Sequence, residues 1–259
     1  MKNIFKISYL VILLLFGTYQ VNAAEKVELL KTDWSFKGLF GKFDRGSLQR
    51  GYQVYTEVCS SCHSMKYVSY RNLFEPGGPE FSEDQAKAIA ANFEVTDGPN
   101  GDGEMFIRPA KLSDKFVMPF ANVKAAQAAN GGAYPPDMSV LAKARTGGVD
   151  YIYSVLLGYE DPPSGIILED GVYYNKYMYG NNIKMSEPLS DGLVEYSDGT
   201  IASKEQMAKD VTTFLMWTAE PHLEARHKMG FKAILYLIIL TILVYFSMKK
   251  IWSRIESEV

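Results

Sequence analysis

The feature that most constrains this chain is Cys59-Ser60-Ser61-Cys62-His63, which holds both cysteines of the sequence three residues apart, with an imidazole immediately after them. Two thiols at that spacing on one helical turn each reach a vinyl group along one edge of a porphyrin. The next residue's imidazole then faces the iron, so C-x-x-C-H is the pattern of covalent haem attachment. Two other chemistries use such a pair. A redox dithiol would leave His63 idle and belongs in a βαβ pattern, which the flanking residues do not show. A zinc site would recruit His222 and His227, spaced H-x4-H, but these lie some 160 residues downstream, against an apolar stretch. Covalent haem c is the reading that uses all three residues.

The neighbouring sequence predicts how the motif is delivered. Asp44 to Val58 reads as an amphipathic helix with Ser47 as N-cap and Leu48, Tyr52, Tyr55 and Val58 on one face. Gly51 on that helix allows a close approach by another element. A second helix is expected over Ser203 to Thr218. It opens with a capping box of Ser203 and Gln206, carries Met207, Val211, Phe214 and Leu215 on one face, and stops before Pro221. The two helices are expected to pack on each other. Gly and Pro clusters break the remainder into short segments, with a short hairpin expected around Gly171 to Tyr179. The expected fold is mainly α, with long loops wrapping one haem whose apolar faces complete the core.

An iron that transfers electrons needs a sixth ligand, and methionine there raises the potential where histidine would lower it. Of the eleven methionines, Met1 falls in an expected leader, Met229 and Met248 belong to an apolar C-terminal helix, and Met65 is too close to His63 to reach the opposite face. Met207 and Met216 read as core filler. That leaves Met105, Met118, Met138, Met178 and Met185. Met185 stands in the turn-rich Gly180-Asn181-Asn182-Ile183-Lys184-Met185-Ser186-Glu187-Pro188, far from the cysteines, as a loop closing over the distal face would. His222 is the bis-histidine alternative. The haem propionates call for guanidinium partners, with Arg71, Arg108 and Arg145 as candidates by position.

The ends speak of a membrane. Residues 1–23 pair Lys2 and Lys6 with an apolar run from Ile7 to Phe16 and a small-residue close, and so read as a secretory signal peptide. Ala233 to Met248 carries no charge and is flanked by Lys232 and by Lys249 with Lys250. The segment 229–250 spans about 30 Å as a helix, the thickness of a bilayer core. The basic pair after it places the tail, 251–259, in the cytoplasm, leaving 24–228 as a periplasmic haem domain held by one transmembrane anchor at a bacterial inner membrane. A mean hydropathy of -0.10 excludes a polytopic membrane protein. The net charge of -3 gives no basic surface for nucleic acid. The ends carry six basic and two acidic residues, leaving 21 basic against 28 acidic over 24–229, a net of -7. Residues 75–104 alone hold eight acids against Lys87. That is either a solvated face or an electrostatic surface for a basic cytochrome c.

Five segments together resemble one family: GYQVYTEVCSSCHSM, DGPNGDGEMFIRPAKLSD, NGGAYPPD, GNNIKMSEPL and AKDVTTFLMWTAEPHLEARHKMGFKAILY. The chain resembles the cytochrome c1 family, the haem subunits of cytochrome bc1 complexes, in its bacterial form, from about Trp34 to Trp252. The resemblance implies thioethers to Cys59 and Cys62, His63 as proximal ligand, Met185 as sixth ligand and Arg145 against a propionate. It implies a c-type cytochrome fold and a redox subunit without catalysis of its own. The partners it implies are cytochrome b, a Rieske iron-sulfur protein as donor and cytochrome c as acceptor, in a dimeric complex. Some bacterial relatives carry a further cysteine pair as a disulfide; here no cysteine remains for one.

Overall fold

The computed structural model describes residues 27–256, so the leader expected over residues 1–23 lies outside the described residues. Seven α-helices follow in order: α1 (Arg45–Val54), α2 (Glu83–Ala91), α3 (Val123–Ala129), α4 (Leu141–Ala144), α5 (Gly148–Leu157), α6 (Lys204–Ala219) and α7 (Leu223–Glu256). Two antiparallel strand pairs interrupt them: β1 (Glu94–Asp97) with β2 (Phe106–Pro109), and β3 (Tyr173–Tyr174) with β4 (Asn182–Ile183). The described residues are thus mainly helical, as expected, and the second pair is the expected hairpin with its return strand lying beyond Tyr179.

The centre of the fold is the crossing of α1 on α6, and Gly51 makes it. A Cβ at Gly51 would stand 2.1 Å from the Asp210 carbonyl oxygen and 2.7 Å from Phe214 Cβ, so only glycine lets the two backbones approach this closely. Leu48, Tyr52 and Val54 bury on one side, and Met207, Val211, Phe214 and Leu215 on the other. Around them Tyr52, Tyr55, Tyr70, Phe116 and Phe214 stack with centroids 4.9 to 6.1 Å apart. Such pairs add about 0.5–1.5 kcal/mol each beyond the area they bury. Asp210, fully buried, receives the Arg50 Nε at 2.8 Å, and Arg50 Nη1 reaches Asp198 at 2.7 Å. One guanidinium therefore ties α1 to α6 and to the loop before it.

Two cap expectations need correction. The N-cap of α1 is Asp44, whose carboxylate accepts from the Ser47 backbone N–H at 2.7 Å; Ser47 lies inside the first turn. Both residue types cap well, and Asp44 wins because it is the residue with extended backbone. At α6 Ser203 does cap, accepting from the Gln206 N–H at 3.2 Å, but Gln206 turns its amide to Asp210 at 2.9 Å and does not return to the cap. A box needs the Ser203 N–H to donate to the Gln206 side-chain oxygen, and that N–H goes instead to the Ile201 carbonyl at 3.0 Å.

Helix α7 runs unbroken for 34 residues, and its stretch from Leu223 to Arg254 is long and apolar enough to cross a membrane, with none of its most apolar window buried. Its first turn is fixed to the haem domain. Glu224 accepts from the Phe43 N–H at 3.0 Å and from Arg45 Nη1 at 2.8 Å, while Glu220, just before the helix, pairs with Lys143 and Arg226.

Candidate haem site

Helix α1 does not carry the motif on a regular turn. It widens into a π-turn over Tyr55–Cys59, where the Ser60 N–H donates to the Tyr55 carbonyl at 2.8 Å, and then closes as a tight turn. There the Cys62 and His63 N–H groups both donate to the Cys59 carbonyl, at 3.2 and 2.9 Å. Single π-turns of this kind cluster at functional sites because they rotate the following residues off the helix register. Here the rotation leaves Cys59 packed against the core and Cys62 beside a hollow of about 110 Å³, lined among others by Met118, Phe120, Val123, Tyr134 and Pro135. Both thiols are free, with no disulfide between them. Burial, and next the neighbouring Cys62, push the Cys59 thiol up to about 12, so it stays protonated at neutral pH.

His63 is buried, and its ring is aimed by a hydrogen bond. Its Nδ1 lies 2.9 Å from the Pro136 carbonyl oxygen. A carbonyl only accepts, so Nδ1 carries the proton and Nε2 presents its lone pair. Burial lowers the imidazole's proton affinity, outweighing the Pro136 bond and the Asp137 charge that raise it, and this keeps the ring neutral and able to ligate. The brace continues through Asp137, which accepts from Ser64 Oγ at 2.8 Å, the Lys66 N–H at 3.0 Å and the Ser139 N–H at 3.0 Å. Burial opposes the Asp137 charge, but these donors, Ser139 first, together hold its carboxyl below the usual range. The Met138 N–H donates to the Ser64 carbonyl at 2.8 Å, and Tyr55 Oη donates to the His63 carbonyl at 3.2 Å. None of Tyr55, Ser64, Pro136 or Asp137 stood among the expected site residues. Pro135-Pro136-Asp137 is a turn signal in the sequence, yet nothing local says that its partner lies 73 residues upstream.

The donor set fits haem c: two unpaired thiols one turn apart, a neutral imidazole with Nε2 presented, and exposed apolar side chains beside them in Met118, Val123 and Tyr134. The hollow beside Cys62 is smaller than the few hundred Å³ that enclose a ligand of this size, so it would hold only part of the group. A larger cavity, about 420 Å³ between α1 and α2, is lined by Arg50, Glu57 and Asp198 among others and includes none of the motif; we assign the chemistry to the thiols and not to the larger space. Among the described residues no three His, Cys, Asp or Glu gather to hold a metal ion, so His222 and His227 do not join the cysteines as a zinc site. His227 lies instead against the Gly41 carbonyl, with Nδ1 at 3.3 Å.

The structure narrows the methionines. Met138 is buried with its N–H bonded to the carbonyl of Ser64, next to His63, Met178 accepts from Tyr151 Oη at 3.1 Å, and Met105 is exposed beside the β1–β2 hairpin. Met118 and Met185 remain. Met185 is half-buried just after β4; Tyr159 Oη donates to its carbonyl at 3.0 Å, and Lys184 Nζ donates to the Gly131 carbonyl at 3.0 Å. That second bond ties the Met185 loop to the same connection, 131–137, that braces His63. Among the arginines, Arg108 is engaged by Asp97 and Asp114 on both sides, and Arg71 pairs with Glu75 at 3.9 Å. Arg145, exposed after α4, donates only to the Ala144 carbonyl at 3.3 Å among the described residues, so its guanidinium is the least engaged of the three.

Comparison with known proteins places the chain among its relatives. A cytochrome b/c1 from Bradyrhizobium diazoefficiens is 51% identical over 239 residues, covering 85% of this chain but 35% of its own length. A cytochrome c1 from Rhodospirillum rubrum is 46% identical over 256 residues, with 93% of each chain covered. A mitochondrial cytochrome c1 heme protein from Solanum tuberosum is 46% identical over 248 residues, covering 95% of this chain and 77% of its own length. The profile of the Cytochrome C1 family matches residues 34–255, a range that takes in the attachment motif, its brace, the Met185 loop and most of α7. With a motif, a donor set and a membrane-length helix that all agree with this match, the chain belongs to the cytochrome c1 family, whose members bind a covalent haem c as the haem subunit of the cytochrome bc1 complex.

Proposed function

We propose that this chain relays single electrons from a Rieske iron-sulfur protein to a cytochrome c within a quinol-oxidising complex, with His63 and Met185 as axial ligands and Cys59 and Cys62 as attachment points. The observation that carries the reading is the His63–Pro136 hydrogen bond, which fixes the tautomer and presents Nε2. Haem c, when bound, supplies a one-electron iron couple. The chain's own residues orient the imidazole through Pro136 and Asp137, hold the Met185 loop to the same connection through Lys184, and leave Arg145 for a propionate. The chain acts as a redox subunit, and quinol oxidation belongs to its partners. Helix α7 anchors it beside cytochrome b in a dimeric complex, with the haem domain in the periplasm and the basic Lys249-Lys250 end in the cytoplasm.

The acidic segment supports a docking role more narrowly than its charge total implies. Glu80 pairs with Arg45, Glu83 and Asp84 with Lys87, and Asp97 with Arg108. Glu94, Asp102 and Glu104, exposed along the β1–β2 hairpin, form no ion pair among the described residues and are the charges left for a basic partner. The test of the ligand assignment is the reduction potential and visible spectrum of the intact complex. Met185→Leu leaves haem attached, abolishes the methionine-to-iron charge-transfer band and lowers the potential markedly. An unchanged potential with Met185→Leu, and a fall with Met118→Leu, would move the ligand to Met118.

A further inference from the structure

The turn before α1 ends in two bare hydrophobic residues that the electron-transfer reading does not use. Leu39 and Phe40 are 71% and 70% exposed, the tip of a turn closed by the Gly41 N–H donating to the Gly38 carbonyl at 3.3 Å. The tip is not isolated. Phe40 lies edge-on to Phe231 of α7 with centroids 6.0 Å apart, and the Gly41 carbonyl faces His227 of the same helix. Phe231 lies two residues before the uncharged run of α7 that opens at Ala233, so Leu39 and Phe40 sit at the level where the helix turns apolar. Lys42, Lys228 and Lys232 are exposed around this level, and none has a carboxylate within ion-pair distance among the described residues. The nearby acids Glu220 and Glu224 are already held by Lys143, Arg226 and Arg45.

We infer that the Gly38–Gly41 turn is a second membrane contact, with Leu39 and Phe40 entering the acyl boundary of the leaflet on the haem side and the three lysines meeting anionic phospholipid headgroups. An apolar tip flanked by lysines is the arrangement that binds a lipid interface: burial of the side chains and headgroup attraction act together. The occupant is lipid and not a protein groove because the patch is continuous with α7, whose own apolar face is exposed over the same levels. The inference rests on α7 being the membrane anchor. Its consequence is a two-point attachment that fixes the tilt of the haem domain over the bilayer, which one helix alone leaves to rotation about its axis.

The experiment is depth measurement by spin label on the intact complex in nanodiscs of phosphatidylcholine with phosphatidylglycerol. Phe40→Cys is compared with Ile239→Cys as the mid-span control and Ser164→Cys as the aqueous control. Collision with oxygen exceeding collision with a water-soluble nickel chelate at position 40, as at 239 and opposite to 164, supports the inference. A label at 40 that behaves like 164 while 239 reads as lipid overturns it. So does a label at 40 shielded from both reagents, which would mean that a protein subunit covers the tip. A label at 239 open to the nickel chelate would refute the anchor itself, separately from the turn. Lowering the phosphatidylglycerol content should shift the position-40 reading toward water and leave 239 unchanged.

Discussion

The two faces proposed for the haem are built by different means. On the His63 side the ligand is buried, its ring is aimed by the Pro136 carbonyl, and the segment after it is laced to 136–139 by side-chain and main-chain bonds, all resting on the α1–α6 crossing. On the Met185 side the residue is half-buried in a loop between a two-residue strand and Pro188, held by one bond to its carbonyl and one from its neighbour's lysine. The imidazole is positioned by the core of the fold, whereas the thioether is positioned by a loop that the core merely tolerates. Substitutions on the first side should therefore act through global stability, and those on the second through the iron, leaving the fold nearly untouched.

The largest break in this contrast is Gly51→Val. Branched carbons at 2.1 Å from a backbone carbonyl have nowhere to go, so α1 and α6 must separate, at a cost on the order of 3 kcal/mol or more. Thermal melting of the membrane-extracted protein should show a large fall in Tm, or no accumulation of holoprotein. Asp210→Ala comes next: it removes the buried partner of Arg50 and leaves the half-exposed Asp198 alone to hold the guanidinium, a loss of about 1.5–3 kcal/mol. Asp137→Ala should cost about 1–3 kcal/mol by leaving its donors unpaired, and should also broaden the low-spin spectrum as His63 loosens. Because the folded carboxyl of Asp137 is held below its ordinary range, its contribution is complete above the unfolded carboxylate value of about 4 and disappears as pH falls through the folded value. Wild type should thus lose stability on acidification more steeply than Asp137→Ala. Lys184→Ala is the smallest: under about 1 kcal/mol of stability, but a measurable drop in the charge-transfer band as the Met185 loop is freed. A large Tm loss with an unchanged band in Lys184→Ala would reverse the comparison.

Much of the fold on the His63 side was legible because its signals are local. The attachment motif, the glycine of α1, the apolar face and Ser203 cap of α6, and the uncharged run of α7 each follow from residues within a few positions of one another. What was not legible depends on partners distant in sequence or on competition between equals. Ser47 and Asp44 are both good caps, and only the backbone path chooses Asp44. Gln206 could close a box, but the Ser203 N–H that a box requires is given to the Ile201 carbonyl. Arg108 looked as free as Arg145 until β2 set it between Asp97 and Asp114. Pro136 and Asp137 carried no visible tie to His63 because hydrogen bonds across 73 residues leave no periodicity. The Met185 loop resisted reading most, since a loop shaped by glycines and turns has no repeating face to betray it.

One further consequence belongs to the junction of α7 with the domain. Carboxylates at Glu220 and Glu224 clamp the first turn of that helix to α1 and α4, and the helix continues without a break through Gly230 into the apolar run. The helix is therefore a lever of about 50 Å rigidly joined to its load. Any lean of the shaft swings the far domain through the same angle, so changes in hydrocarbon thickness would be registered as displacement at the electron-exchanging surface.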